Sequence, residues 1–121
     1  MTRRGVYFIV DFAIADGKFD EFQSMAGEMV AGTQSEEGAL AYEFYLNADR
    51  RQCRLIEVYA DSDAALLHTK GRVVQELVPK LLNVSSLTGF SVYGDLTAEC
   101  AEMLTRGGAT LFQKWQGRNR L

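Results

Sequence analysis

The sequence contains one side chain suited to proton exchange near neutral pH, the single histidine, His68. It lies in a predicted helix with small close neighbours, Ala64 and Gly71, which leave space for a ligand beside the ring. Glu57 and Tyr59 are two positions apart in a predicted strand, so both side chains point to the same face. We expect these three side chains to meet in one pocket, where Glu57 orients His68 or accepts a hydroxyl proton.

Each of these residues also has an ordinary structural role that the sequence leaves open. A lone helical histidine can lie at the surface or bond a backbone carbonyl. Glu57 can form an ion pair with Arg54 or Arg72, or lie at a solvated edge. Tyr59 can be a core residue with its hydroxyl at the rim, and Tyr42, in the preceding strand, can line the pocket or only pack there.

Alternating apolar residues predict the strands that carry this chemistry, over 6–14, 39–46, 52–60 and 87–95, with a short fifth strand within 109–115. Spacings of three and four predict helices over about 19–34, over 61–81 with a break near Gly71 or Pro79, and over 97–106. The order of these elements indicates a ferredoxin-like α+β fold, an antiparallel sheet with helices on one face. We predict a single domain over 1–121, with a core over 5–95 and a C-terminal helix-strand extension over 96–121.

Both faces of the predicted sheet carry large apolar side chains. In the first strand, Tyr7 and Ile9 point opposite to Phe8 and Val10. A sheet with helices on one side usually shows water a polar second face. We therefore expect a homodimer in which two sheets pack face to face, the alternative being that the C-terminal extension folds over this face.

Composition excludes several classes of function. The chain has 121 residues and a formal charge of −3, with a pI near 5.1, so nucleic-acid binding is not expected. No apolar run approaches the roughly 20 residues of a membrane span. No metal-ligand pattern is formed by Cys53, Cys100 and the one histidine, and no phosphate-binding glycine motif is present. The missing motif does not exclude a flavin, because pockets bind flavin without it. We expect a cytoplasmic protein with reduced thiols and no metal or other cofactor.

Two segments of the sequence carry a recognisable pattern: EEGALAYEFY, from Glu36 to Tyr45, and LIEVYADSDAALLH, from Leu55 to His68. Together they resemble the antibiotic biosynthesis monooxygenase family. In that family an acidic-Gly segment leads to a strand bearing Tyr and Glu, and a strand with a Glu and usually a Trp precedes a helix with one His. The resemblance covers about residues 5–95. Tyr59 stands where the family usually has Trp.

The resemblance implies a dimeric α+β barrel with a pocket between sheet and helices in each subunit. Similar proteins include cofactor-independent oxygenases of hydroquinone-type aromatics and heme-degrading enzymes. The heme-degrading branch relies on an Asn in the first strand, a Trp and a His, of which only His68 has a counterpart here. Heme degradation is therefore disfavoured.

The resulting prediction is a cofactor-independent monooxygenase that uses O2 on a small hydrophobic phenolic or hydroquinone substrate. His68 is then the base that forms an electron-rich phenolate, Tyr59 and Glu57 position hydroxyls, and Tyr42 walls the pocket. Two alternatives remain: a non-catalytic ligand-binding or stress-associated dimer, and an isomerase that shuttles a proton on a small carbonyl compound.

Overall fold

A computed structural model describes residues 5–120 as one five-stranded sheet with helices on one face. The strands are β1 (Val6–Ile14), β2 (Ala39–Leu46), β3 (Gln52–Tyr59), β4 (Ser85–Tyr93) and β5 (Thr110–Phe112). The helices are α1 (Phe19–Thr33), α2 (Ser62–Lys70), α3 (Val78–Leu81) and α4 (Ala98–Arg106), with a π-helix, Val73–Leu77, between α2 and α3. None of the helices within residues 5–120 combines the length and apolar character that a membrane span requires.

The strand order is β2-β3-β1-β4-β5, and the first four strands pair antiparallel. This order, with α1 and α2 as crossovers, confirms the ferredoxin-like α+β prediction. β5 pairs parallel to β4, so the extension makes the sheet mixed. The fourth strand begins at Ser85 and not at Leu87, and the fifth has only three residues.

The core lies between the sheet and the helices. Alternate strand residues and one stripe of each helix point into it, as the period-two and helical patterns require. From the strands come Val6, Phe8, Val10, Phe12, Cys53, Leu55, Tyr59 and Val92, and from the helices Phe22, Met29, Ala65, Val73, Leu77, Leu81, Cys100 and Leu104. This buried layer fixes α1 and α2 against β2 and β3, where the functional candidates lie.

The predicted break in the second helical segment is confirmed. α2 ends at Lys70, because the extended backbone of Gly71 stops the helix, and the chain resumes as the π-helix and α3. Val73 approaches α1 so closely that a Cβ on Gly32 would lie 2.7 Å from its Cγ2 atom. The glycine therefore allows the close contact between these two helical segments.

The outer face of the sheet is apolar at its centre. Ile9 lies opposite Ile56 and Tyr7 opposite Val58, while Asp11 accepts two hydrogen bonds from the guanidinium of Arg54. The final described residues return to this face, where the Asn119 amide donates to the Tyr7 hydroxyl at 2.7 Å.

Candidate functional site

His68 lies in the last turn of α2 with its side chain 2% exposed. The helix begins at Ser62, because the Asp61 carboxylate accepts a hydrogen bond from the Ala64 amide as an N-cap. The imidazole packs against two tyrosine rings of the sheet. Its centroid is 5.0 Å from the ring of Tyr59 and 5.5 Å from that of Tyr42.

Glu36 holds one side of the imidazole. Its Oε1 atom lies 2.8 Å from His68 Nδ1, in a contact that joins α2 to the turn between α1 and β2. The backbone next to this turn approaches α2 closely, because a Cβ on Gly38 would collide with that of Ala64. The space beside Ala64 is thus filled by the chain itself.

Glu57 lies on the other side of the imidazole. Its Oε1 atom is 3.4 Å from His68 Nε2 and accepts a 2.5 Å hydrogen bond from the Tyr59 hydroxyl. Glu57 is 4% exposed and lies between Tyr42 and Phe8 of the neighbouring strands. Neither arginine considered as its partner reaches it, since Arg54 pairs with Asp11 and Arg72 with Glu76.

Burial controls the proton affinities of this group. Loss of solvation raises the pKa of Glu57 to about 8, partly opposed by the Tyr59 hydrogen bond. Burial lowers the pKa of His68, and the Glu36 carboxylate opposes that shift. Burial and the nearby carboxyl groups raise the pKa values of Tyr42 and Tyr59. At neutral pH the site therefore contains a neutral imidazole, a protonated Glu57 and two neutral phenols.

A cleft of about 230 Å³ opens next to this group, between the end of α1 and β2. It is lined by Val30, Thr33, Gln34, Glu36, Ala39, Leu40, Ala41 and Tyr42. Leu40 is the extra residue of a β-bulge in β2, and its side chain is 43% exposed. Glu36 and Tyr42 thus border both the cleft and the imidazole.

The structure brings together all four side chains singled out from the sequence, His68, Glu57, Tyr59 and Tyr42. Only Tyr42 lines the cleft, so contact of the other three with a substrate stays a prediction. Sequence reasoning missed Glu36 as the partner of His68. Its acidic-Gly segment is part of the family resemblance, but no periodicity chooses between Glu36 and Glu37 or relates a turn to a helix 32 residues later.

Chemically, the arrangement is an acid–base group. An imidazole between two carboxyl groups can accept a proton on one side and release one on the other. Within residues 5–120, no set of three or more His, Cys, Asp or Glu side chains is arranged to hold a metal ion.

The profile of the antibiotic biosynthesis monooxygenase family matches residues 5–80, well over half of the chain. The chain belongs to this family. The match includes Glu36, Tyr42, Glu57, Tyr59 and His68, whereas β4, α4 and β5 lie outside it. No curated protein sequence matches the chain.

Solved structures with a similar fold include MupZ from Pseudomonas fluorescens. It shares 23% identity and a TM-score of 0.80, and the match covers 97% of this chain and 95% of that protein. The protein Rv0793 from Mycobacterium tuberculosis shares 21% identity, with a TM-score of 0.66 and coverage of 77% and 96%. An antibiotic biosynthesis monooxygenase shares 22% identity, with a TM-score of 0.63 and coverage of 72% and 92%. At these identities the likeness describes the fold, and MupZ matches it over nearly the full chain.

Proposed function

We propose that this family member is a cofactor-independent monooxygenase that oxidises a small hydrophobic phenolic or hydroquinone substrate with O2. The observation that carries the proposal is His68, buried between Glu36 and Glu57 beside a cleft of about 230 Å³. Such a pair of acid–base contacts suits the first step, removal of a phenolic proton. The volume is below the usual 300–1,000 Å³ of small-molecule pockets, which favours a small ligand.

The chemistry balances without another reductant. Proton removal gives a phenolate, which donates electrons to O2 as a C–O bond forms at a ring carbon that carries hydrogen. Loss of that hydrogen and cleavage of the O–O bond leave a quinone carbonyl, and the second oxygen atom departs as water. The proton taken up by the site is returned to this water, so His68 acts first as part of the base and then as part of the acid.

In this proposal Tyr42 acts on the substrate from the cleft, and Glu57 and Tyr59 act from the far side of the imidazole. Tyr42 walls the cleft, where its neutral phenol can donate to a substrate oxygen. Glu57 and Tyr59, which are 4% and 0% exposed, influence substrate hydroxyls from behind the imidazole. In this proposal Tyr59 fills the place where the family usually has Trp and adds a hydroxyl that holds Glu57.

We also propose that the protein is a cytoplasmic homodimer with its outer sheet faces packed together. Support comes from the apolar centre of this face, which the described part of the chain leaves partly exposed at Ile9, Ile56 and Val58. The two cysteines, Cys53 and Cys100, are buried and unpaired, as expected of reduced thiols.

Oxygen consumption tests the oxygenase proposal. Purified protein treated with a chelator is mixed with naphthalene- and anthracene-type hydroquinones, beside His68→Ala and the control Leu67→Ala, a helix neighbour 70% exposed. We expect uptake above the uncatalysed rate in the wild type and the control, and a loss of 100-fold or more in His68→Ala. Equal rates in all three proteins would contradict the proposal.

A second candidate function is a proton-shuttling isomerase on a small carbonyl compound. It is favoured by one observation, the carboxyl groups on both sides of His68, which suit uptake of a proton at one carbon and return to another. Anaerobic exchange of α-protons of a ketone panel in D2O, dependent on His68, would support it over oxygenation. Saturable ligand binding that survives His68→Ala, with neither activity, would instead indicate a binding protein.

A further inference from the structure

We infer that Glu36 is the group that contacts the substrate hydroxyl and takes its proton, and that His68 relays protons between Glu36 and Glu57. The inference rests on the proposed function, because it assigns the contact atom of that acid–base step. It adds a catalytic residue that lies in a turn and moves His68 to a positioning and relay role.

The three acid–base side chains differ in their access to the cleft. The side chains of His68 and Glu57 are 2% and 6% exposed, whereas that of Glu36 is 20% exposed. Of the eight residues lining the cleft, Glu36 and Tyr42 are the titratable ones. A general base must come within about 3 Å, between heavy atoms, of the group that it deprotonates. Of Glu36, His68 and Glu57, Glu36 is the one that lines the cleft.

Tyr42 is the other titratable residue of the cleft. Its phenol is desolvated and faces the carboxyl groups of Glu57 and Glu36, all of which raise its pKa. It stays protonated and can donate a hydrogen bond, but it has no capacity to remove a proton from a phenol. Glu36 is therefore the acceptor among the residues that line the cleft.

Hydrogen-bond donors and acceptors are arranged on both sides of the imidazole. The Glu36 carboxylate accepts from Nδ1–H of the neutral imidazole, which leaves a lone pair on Nε2 facing Glu57. The Tyr59 hydroxyl donates to Glu57 at the oxygen nearest Nε2. The titratable groups around the imidazole are thus Glu36, Glu57, Tyr42 and Tyr59.

This pattern can be rearranged without any proton from solvent. If Glu57 gives its proton to Nε2, the Nδ1 proton can pass to Glu36. Glu36, His68 and Glu57 together hold two protons both before and after this transfer, so their net charge is unchanged. The 3.4 Å separation of Nε2 and Glu57 must shorten by a few tenths of an ångström for this transfer, as acid–base contacts do when a substrate binds. Glu36 can thus be a base or an acid at the cleft.

The cleft also defines the ligand class. Most of its accessible lining is polar, with smaller apolar contact from Val30 and Leu40, and none of the lining residues is cationic. A carboxylate ligand would face the Glu36 carboxylate with no compensating charge. The site should therefore select a small neutral compound with a weakly acidic hydroxyl, and reject the corresponding carboxylate.

Binding of 2-naphthol and of naphthalene-2-carboxylate to the full chain tests this without turnover. Fluorescence titrations are made with wild type, Glu36→Gln and the control Glu37→Gln, which alters the adjacent exposed carboxylate. We expect the wild type and the control to prefer 2-naphthol. In Glu36→Gln, 2-naphthol binding should weaken about tenfold and carboxylate binding should strengthen, because a charge-assisted hydrogen bond is lost and a repulsion removed. Far-UV circular dichroism checks that each variant folds.

Unchanged selectivity in a folded Glu36→Gln protein would overturn the inference. Oxygen uptake that needs His68 but stays complete in Glu36→Gln would overturn it too, while leaving the proposed function intact. Absence of uptake in every protein, with the selectivity shift present, would contradict the oxygenase and support Glu36 as the contact group.

Discussion

At the scale of single residues, the site depends on a carboxyl group that the fold keeps protonated. Glu57 lies among apolar and aromatic side chains and accepts one hydrogen bond from Tyr59. A folded pKa of about 8 against an ordinary value of 4.5 means that the folded chain binds a proton which the unfolded chain releases. The raised pKa of Glu57 therefore stabilises the folded state in acid. This contribution to the free energy of unfolding is lost as the pH rises from 4.5 to about 8.

Glu57→Gln tests this linkage. The amide resembles the protonated acid, so the variant should match the wild type near pH 5 and be more stable at pH 9, by on the order of 3 kcal/mol. Urea unfolding at pH 5, 7 and 9 measures the difference. Glu76→Gln, which changes an exposed glutamate paired with Arg72, is the control and should alter stability by less than about 1 kcal/mol at each pH. If the free energies of unfolding of Glu57→Gln and wild type differ by the same amount at all three pH values, Glu57 is not held uncharged by the fold.

The residues also show why part of the site was predictable. Period-two alternation put Glu57 and Tyr59 on one face, and the helical pattern put His68 over that face. Glu36 lies in a turn, where no period assigns a direction to a side chain. Its role depends on the tertiary approach of Gly38 to Ala64, which a single sequence does not encode locally.

At the scale of elements, the site is held by the contact between α2 and the start of β2. Gly38 and Ala64 form this contact. Glu36, two residues before Gly38 in the chain, contacts His68. Element boundaries followed from periodicity and caps, as with Asp61 at α2 and Thr97 at α4. The π-helix and the bulge at Leu40 could not be predicted in this way, because both depend on packing against neighbouring elements.

Gly38→Ala should therefore damage both the fold and the site. The added methyl group collides with Ala64, and we expect a loss of about 1–3 kcal/mol, measured by urea unfolding. Ala64→Gly in the same chain should recover part of this loss, because the two substitutions share one contact. Gly27→Ala is the control: a Cβ there meets no atom within 4 Å, so it should stabilise α1 by about 0.5–1 kcal/mol. Equal effects of Gly38→Ala and Gly27→Ala would refute the close contact.

At the scale of the whole molecule, the two faces of the sheet have separate roles. The inner face supports the core and the acid–base group, and the outer face has an apolar centre at Ile9 and Ile56. The fold and its order of elements could be predicted from strand alternation together with helical periodicity. Which surface covers the outer face could not, because alternation shows only that a face is apolar. Asn119 reaches Tyr7, at one end of this face.

Ile56→Arg tests the proposed homodimer. A charge at the centre of two apposed sheets would be buried without a partner, so the variant should sediment as a monomer while the wild type sediments as a dimer. Leu67→Arg, on the exposed side of α2, is the matched control and should remain dimeric. A monomeric wild type, or a dimeric Ile56→Arg, would contradict face-to-face packing.

The proposed chemistry depends on a neutral His68 that relays protons between two carboxyl groups. Because the chain has one histidine, a 15N–1H NMR titration of His68 reads this state without ambiguity. We predict an imidazole that titrates below the ordinary pKa of 6.5 and carries its proton on Nδ1 at pH 7, as burial and Glu36 require. An imidazolium at pH 7, or a proton on Nε2, would contradict this role of His68.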